Sequence, residues 1–136
     1  MTRPEVMPIL GDLEEAVLEH LWSAGQADVL ETHAKVGAPR HITVNTVGSA
    51  LERLHRKGLV MRWKVSHAYH YRAAMDRDAY FARRLLEAGG GMRELQQRGV
   101  LTAFVDLIAS QDSRALERLE EIVAARRGAR SRKDSR

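Results

Sequence analysis

Apolar residues recur every three or four positions along the first half of the chain, which is the spacing of amphipathic helices. This pattern predicts a first helix between an N-cap at Asp12 and a stop at Gly25, and a short second helix over residues 28–35. A third helix is predicted from an N-cap at Asn45 to a stop at Gly58. Its apolar positions follow i, i+3, i+4 and i+7 and predict one buried face, made of Val47, Ala50, Leu51 and Leu54.

Beyond residue 58 the pattern changes to a loose alternation of apolar and polar residues, which is typical of strands. Two strands are predicted over residues 59–64 and 68–72, joined by a turn at residues 65–67. The aromatic residues of this hairpin are expected to pack it onto the helices rather than to stack on bases; they are Trp63, Tyr69 and Tyr71. Three helices followed by a hairpin form a winged helix-turn-helix, in which the third helix enters the major groove and the hairpin wing contacts the DNA backbone or minor groove.

The second half of the chain returns to helical spacing. A fourth helix is predicted from an N-cap at Asp76 to the glycine run at residues 89–91, a fifth over residues 92–109 with Gly99 as a potential break, and a sixth from Asp112. The last apolar stripes are too sparse for a separate core, so we expect them to pack against a second subunit; packing within one subunit is the alternative. The predicted dimer interface comprises Leu101, Phe104, Val105, Ile108, Leu116, Leu119, Ile122 and Val123.

The predicted fold is therefore mainly α-helical with a small β-hairpin, organised as a winged helix-turn-helix followed by a C-terminal helical dimerisation arm. Residues 1–9 are expected to form a flexible N-terminal arm, and residues 10–74 the winged-helix DNA-binding domain. Residues 75–125 are expected to form the helical dimerisation domain. Residues 126–136 carry 6 basic side chains and 1 acidic side chain, and we expect this basic tail to be disordered.

The composition excludes several classes of function. The chain has no cysteine, which excludes disulfides, thiolate metal sites and cysteine nucleophiles. No apolar run approaches the roughly 18 residues that span a bilayer, and the N-terminus lacks the pattern of a signal peptide, so we expect a cytoplasmic protein without membrane insertion. The sequence contains no Gly-rich phosphate loop, no paired carboxylates in an apolar setting and no Ser/His/Asp motif, so we do not expect an enzyme.

Positive charge is concentrated in the segment that contains the third helix and the hairpin. Residues 40–72 carry 7 basic side chains and 1 acidic side chain, whereas residues 1–39 carry 2 basic and 7 acidic ones. A basic segment within a chain of net charge +4 indicates a surface that meets phosphates, and a solvated charged face is the alternative. The predicted DNA-binding residues are Thr43, Asn45, Thr46, Ser49, Arg53, Arg56, Arg62, Lys64, His67 and Arg72.

Each of these predictions has a simpler alternative. Arg53 lies on the exposed face of the third helix, where an arginine contacts a phosphate or a guanine edge, but it can also be a surface cation or a partner of Glu52. Asn45 can cap the helix without touching DNA. His67 and His70 are three residues apart and point to opposite faces of a strand, so we expect no cofactor; a metal or haem site at this pair is the weaker alternative.

Residues 46–71, TVGSALERLHRKGLVMRWKVSHAYHY, resemble the penicillinase and methicillin-resistance repressors and their copper-responsive relatives. Residues 10–22, LGDLEEAVLEHLW, resemble the start of the first helix of that family. The likeness covers residues 10–72 in detail and continues in layout to about residue 125. It implies a homodimer that binds an inverted-repeat operator in double-stranded DNA and represses transcription. In some members of the family a membrane sensor protease relieves repression by cutting the C-terminal arm, so such a protease is a further potential partner.

The sequence departs from the pattern of this family at several positions. Where the turn of the wing usually reads Gly-Arg, this chain has Ser66 and His67, and Gly48 replaces a bulkier residue on the exposed face of the third helix. The only asparagine is Asn45, so the Asn-Phe cleavage point of the classical members is missing. The absence of cysteine argues against a copper sensor of the family type. A winged-helix protein-interaction module without sequence-specific DNA binding remains the alternative function, since fold alone does not determine function.

Overall fold

The computed structural model describes residues 10–135 of the 136-residue chain, so the predicted N-terminal arm lies outside the described residues. The chain divides into a first unit that ends at Ala88 and a second unit that begins at Gly89. The first unit contains α1 (Asp12–Ala24), β1 (Ala27–Asp28), α2 (Val29–Thr32), α3 (Val44–Arg56), β2 (Val60–Val65), β3 (Ala68–Ala73) and α4 (Arg77–Ala88). The second unit contains α5 (Met92–Leu95), α6 (Arg98–Gln111) and α7 (Ser113–Asp134). This architecture confirms the predicted fold class of a mainly helical chain with a small antiparallel sheet.

Two of the predicted N-caps are wrong by one or two residues. Gly11 is the N-cap of α1, and Asp12 is the first helical residue. Thr43 is the N-cap of α3, because its Oγ1 accepts a hydrogen bond from the backbone N–H of Thr46 at 3.2 Å, and Asn45 lies inside the helix. Threonine and asparagine are both good N-caps, so propensity alone did not distinguish the two positions.

The sheet has three strands, in the order β1–β3–β2, rather than the two of the predicted hairpin. The additional strand β1 has only two residues, which pair with β3 as Ala27 with Tyr71 and Asp28 with His70. The β2–β3 turn consists of two residues rather than the predicted three, since Val65 already pairs with Ala68.

The segment after β1 is also less regular than the single helix predicted over residues 28–35. Asp28 and Glu31 form a capping box at the start of α2, which ends at Thr32. The chain then continues through a π-helical turn (His33–Gly37) and a 3₁₀ turn (Ala38–Arg40). This irregular path leads the chain from α2 to the N-cap of α3.

The hydrophobic core lies where α1, α3 and the sheet meet. The predicted buried face of α3 is confirmed, since Val47, Ala50, Leu51 and Leu54 are fully buried. The other members of the core are Val17, Leu18, Leu21, Ala27, Val36, Leu59, Val60, Tyr71 and Tyr80. All of them belong to the first unit, so this unit holds the main core of the described chain.

The helix α4 packs against α1 and belongs to the first unit, although it was predicted to lie in the dimerisation domain of residues 75–125. Its predicted N-cap is confirmed, because the side chain of Asp76 accepts a hydrogen bond from the N–H of Ala79 at 2.8 Å. The ring of Trp22 lies 5.3 Å from that of Tyr80, and its Nε1 donates to the carbonyl of Met75 at 2.9 Å. These contacts attach the segment after the hairpin to α1.

The second unit is a helical hairpin, α6 followed by α7, preceded by the single turn of α5. The predicted fifth helix is interrupted at residues 96–97 rather than at Gly99, which lies in the first turn of α6. Asp112 accepts a hydrogen bond from the N–H of Arg114 at 3.0 Å, so the predicted cap of the last helix is confirmed. The basic tail was expected to be disordered, but α7 continues through it to Asp134. No helix within residues 10–135 is long and apolar enough to cross a membrane.

Candidate nucleic-acid interface

The face of α3 opposite the core is polar and open to solvent. Thr43, Asn45, Thr46, Ser49 and Arg56 are exposed, whereas Arg53 is partly buried. Seven α3 residues and one from α2 line a shallow surface depression along this face; they are Val29, Val44, Asn45, Gly48, Ser49, Glu52, Arg53 and Arg56. The structure therefore brings five of the predicted DNA-binding residues to one helical surface, with Thr43 at its N-terminus.

Hydroxyl groups surround the N-terminus of α3. The Oγ1 atoms of Thr43 and Thr46 lie 2.9 Å apart, and Thr43 also caps the helix. Hydroxyl side chains and free backbone N–H groups at a helix N-terminus are suitable donors to a phosphate. This end of α3 can therefore contact a DNA backbone while the following turns face the bases.

Two of the cations on α3 share one carboxylate of α1. Glu14 is only 7 % exposed, and its Oε1 accepts a hydrogen bond from Nε of Arg53 at 3.3 Å. Its Oε2 accepts a second one from Nζ of Lys57 at 2.7 Å. Glu14 lies in the first turn of α1, where an acidic side chain also favours the helix dipole. The Glu14 ion pairs join residues about forty positions apart, so only the tertiary structure reveals them.

Arg62 of the wing is held by three neighbours. Its guanidinium donates to the carboxylate of Glu52 on α3 and lies over the ring of Tyr69, 4.4 Å from the centroid. Desolvation lowers the pKa of Arg62, but its hydrogen bonds to Tyr71 and Glu52 outweigh this effect and raise the pKa above its ordinary value. Arg62 thus stays charged at neutral pH, and its pair with Glu52 connects the wing to α3.

The other predicted wing residues are exposed. Lys64 places its Nζ 5.5 Å from the centre of the Tyr69 ring, and His67 lies in the turn between the strands. Arg72 is on the neighbouring strand, where its Nη2 lies 3.6 Å from the sulfur of Met61. These three cations or potential cations remain open to a phosphate backbone.

The aromatic residues of the hairpin have different roles. Tyr71 is buried in the core as expected, but Tyr69 is exposed and faces the side chains of Arg62 and Lys64. His70 stacks on Trp63 of the neighbouring strand with 6.1 Å between ring centroids. Within residues 10–135, no three His, Asp or Glu side chains are grouped in a way that could hold a metal ion.

The predicted dimer-interface residues divide into two sets on α6 and α7. Val105, Ile108, Leu116 and Leu119 are half-buried. A second set, which is 48–55 % exposed, consists of Leu101, Phe104, Ile122 and Val123. No side chain of α5, α6 or α7, all of which lie in the described part of the chain, is buried. A single copy of the second unit therefore leaves a large apolar surface in contact with solvent.

Comparison with known proteins agrees with this architecture. Residues 10–125 match the family described as penicillinase repressor. The chain belongs to the penicillinase repressor family. It is 32 % identical over 111 residues to the transcriptional regulator BlaI of Mycobacterium tuberculosis, in both strain CDC 1551 / Oshkosh and strain ATCC 25618 / H37Rv, covering 80 % of each chain. A crystal structure of NadR in complex with 4-hydroxyphenylacetate aligns with a TM-score of 0.43 and 19 % identity, over 85 % of this chain and 74 % of that chain.

Membership of this family confirms the resemblance found in the sequence and the class of function. The family consists of transcriptional repressors, so the chain is a transcriptional regulator and not an enzyme. DNA is accordingly the partner that this family membership indicates.

Proposed function

We propose that the chain acts as a homodimer that represses transcription by binding an inverted-repeat operator. In this proposal α3 of each subunit enters the major groove, and the two α3 helices meet successive grooves about 34–36 Å apart or at a multiple of that distance. The bound dimer excludes RNA polymerase from the promoter.

The observation that carries this proposal is the two-sided character of α3. One side is fully buried in the core, which fixes the helix, and the other presents Asn45, Ser49 and Arg53 along a single open surface. Asparagine and arginine can pair with adenine and guanine edges in the major groove, and serine donates to bases or phosphates. A rigid helix with these side chains is suited to direct readout of sequence.

The wing supplies contacts that do not depend on sequence. Lys64, His67 and Arg72 are exposed on the hairpin that follows α3. Such side chains can neutralise phosphates and thereby set the register of the protein on the duplex. Because Arg62 is already paired with Glu52, we assign it a smaller share of the phosphate contacts than the other wing residues.

The second unit supports the dimeric part of the proposal. The exposed apolar side chains of α6 and α7 would be removed from water by the same surface of a second subunit, and burial of apolar area is the main driving force of association. Release of the operator would follow from any event that separates the two DNA-binding heads. A sensor protease that cuts the C-terminal arm is one such event.

Binding to DNA can be tested by fluorescence anisotropy with two labelled duplexes. One duplex carries the promoter beside the chain's own gene, the other a scrambled sequence, and both are titrated across a salt series. Arg53→Ala is measured in parallel. We expect the unmodified protein to prefer the promoter by at least about 10³-fold, and the substitution to reduce this preference.

One outcome would contradict the proposal, and another would contradict the role of Arg53 in it. Equal and weak binding to both duplexes, with only a dependence on salt, would indicate non-specific charge contacts and favour a protein-interaction module. A preference that is undiminished in Arg53→Ala would show that α3 does not read the operator through this residue.

A further inference from the structure

We propose that Glu14 is a positioning residue for operator recognition. From its place on α1, it orients the side chain of Arg53 on the DNA-facing side of α3. This inference deepens the proposed function and rests on it, because it assigns a role in sequence discrimination to a residue of α1 that need not itself touch DNA.

Because Glu14 is buried, its two ion pairs are important for the packing of α3 against α1. Glu14 is the only charged side chain among the buried residues of the described chain. A buried carboxylate needs charged partners and hydrogen bonds to offset the loss of its hydration. Its partners Arg53 and Lys57 lie on α3 and at its C-cap and are four residues apart, so they lie on the same side of that helix. The carboxylate therefore holds the C-terminal half of α3 against α1.

The geometry at Arg53 leaves one edge of its guanidinium for a ligand. Glu14 accepts from Nε, the nitrogen nearest the helix, and the side chain of Arg53 is still 40 % exposed. A guanidinium recognises guanine or phosphate through two N–H groups in a fixed plane. Because Nε is held by Glu14, the plane is oriented before DNA arrives, and the edge formed by the two Nη atoms remains for the duplex.

The same contact weakens non-sequence-specific attraction. One negative charge beside two cations of α3 reduces their combined pull on phosphates, which any DNA sequence offers equally. A carboxylate at this place should therefore raise the ratio of specific to non-specific binding in two ways. It orients Arg53 for base readout, and it lowers the affinity for random DNA.

Glu14→Gln tests this inference, with Glu15→Gln as its matched control. Glu15 is the next residue of α1 and pairs with Arg84 of α4 at 3.1 Å, so its substitution removes the same charge without touching α3. Both full-length variants are titrated with the promoter duplex and the scrambled duplex, at salt concentrations where the unmodified protein discriminates between them. Thermal unfolding curves of both variants show the range of temperature in which each is folded, and the titrations are made within that range.

We expect Glu14→Gln to bind the promoter about tenfold more weakly, as for the loss of one well-oriented arginine contact, and to bind scrambled DNA as well as before or better. Glu15→Gln should keep the ratio of the two affinities. A Glu14→Gln variant that keeps this ratio as well would overturn the inference while leaving the proposed function intact. If the unmodified protein itself shows no preference for the promoter, the proposed function fails, and the inference fails with it.

A second measurement needs no substitution at Glu14 and applies even if Glu14→Gln does not fold. The Nε–H resonance of Arg53 can be followed in ¹⁵N-labelled protein, assigned by its loss in Arg53→Lys. We expect it to be protected from exchange with water both in the free protein and in the promoter complex. Loss of that protection on binding would mean that Arg53 leaves Glu14 to reach the DNA, and this result would overturn the inference.

Discussion

Two glycines of the first unit have opposite surroundings, although both lie in helical segments. A Cβ built on Gly48 of α3 meets only the side chain of Val29, at 3.7 Å, which is an ordinary van der Waals contact. A Cβ on Gly37 would lie 2.6 Å from the ring of His33 and 2.7 Å from the side chain of Val47. Gly37 therefore allows the π-helical turn to approach α3 closely, whereas Gly48 has no such steric reason.

We expect Gly48→Ala to increase the free energy of unfolding by about 0.5–1 kcal/mol, because glycine is a poor helix former and the added methyl group makes only an ordinary van der Waals contact with Val29. Gly37→Ala should decrease it by about 1–3 kcal/mol, because His33 or Val47 must move. Urea denaturation of both variants followed by circular dichroism measures the two changes. Changes of the same sign would contradict this description of the contact between the turn and α3.

At the scale of single residues, the candidate interface could be predicted only in part. The exposed side chains of α3 follow from helical spacing, since a clean apolar face fixes the opposite face as well. The partners of those side chains do not follow from spacing. Glu14 and Arg53 are 39 positions apart, and only the packing of α1 on α3 brings them together. Glu52 was the alternative partner predicted for Arg53, but it pairs with Arg62.

At the scale of elements, a helix with a regular apolar pattern was predicted well. A very short strand and a helical end without apolar residues were not. The helix α3 has four apolar residues in register, and its position was predicted within one or two residues. The strand β1 has only two residues, too few to show an alternation of apolar and polar positions. Its pairing partner is β3, more than forty positions away in the sequence. The end of α7 has a basic composition, typical of disorder, but basic residues near a helix C-terminus also favour the helix dipole.

A prediction at the scale of elements concerns dimerisation through the face of α6 that contains Phe104. If it packs against a second subunit, Phe104→Asp should convert the dimer to a monomer, because an unpaired carboxylate cannot be buried there without a large penalty. Thr102→Asp is the matched control, since residue 102 is exposed on the opposite side of the same helix, two positions earlier. The mass in solution, measured by light scattering, distinguishes the two states of this 15.3 kDa chain.

We expect a mass of twice the chain for the unmodified protein and for Thr102→Asp, and the mass of one chain for Phe104→Asp at micromolar concentration. A dimer that persists in Phe104→Asp would mean that another surface holds the two copies together. A monomeric unmodified protein would instead contradict the dimeric part of the proposed function.

At the scale of the whole molecule, the two units correspond to the two activities of the proposed function, DNA binding and dimerisation. All residues of the main core lie before Ala88, so this core belongs entirely to the first unit. The second unit contains the exposed apolar side chains of α6 and α7. The sequence predicted two such parts but placed their boundary before α4, because the aromatic contacts between α1 and α4 are not visible in spacing.

The glycine run at residues 89–91 marks the start of the second unit, and cutting the chain there should separate DNA reading from dimerisation. We expect cleavage at a protease site inserted next to Gly89 to lower promoter affinity at least about a hundredfold, because the second head loses its high effective concentration. The dependence of affinity on salt should fall by about half, since one head contacts half of the phosphates. Anisotropy before and after cleavage measures both effects, and the uncut insertion variant is the control. Unchanged affinity after complete cleavage would mean that each first unit binds the operator independently of its partner.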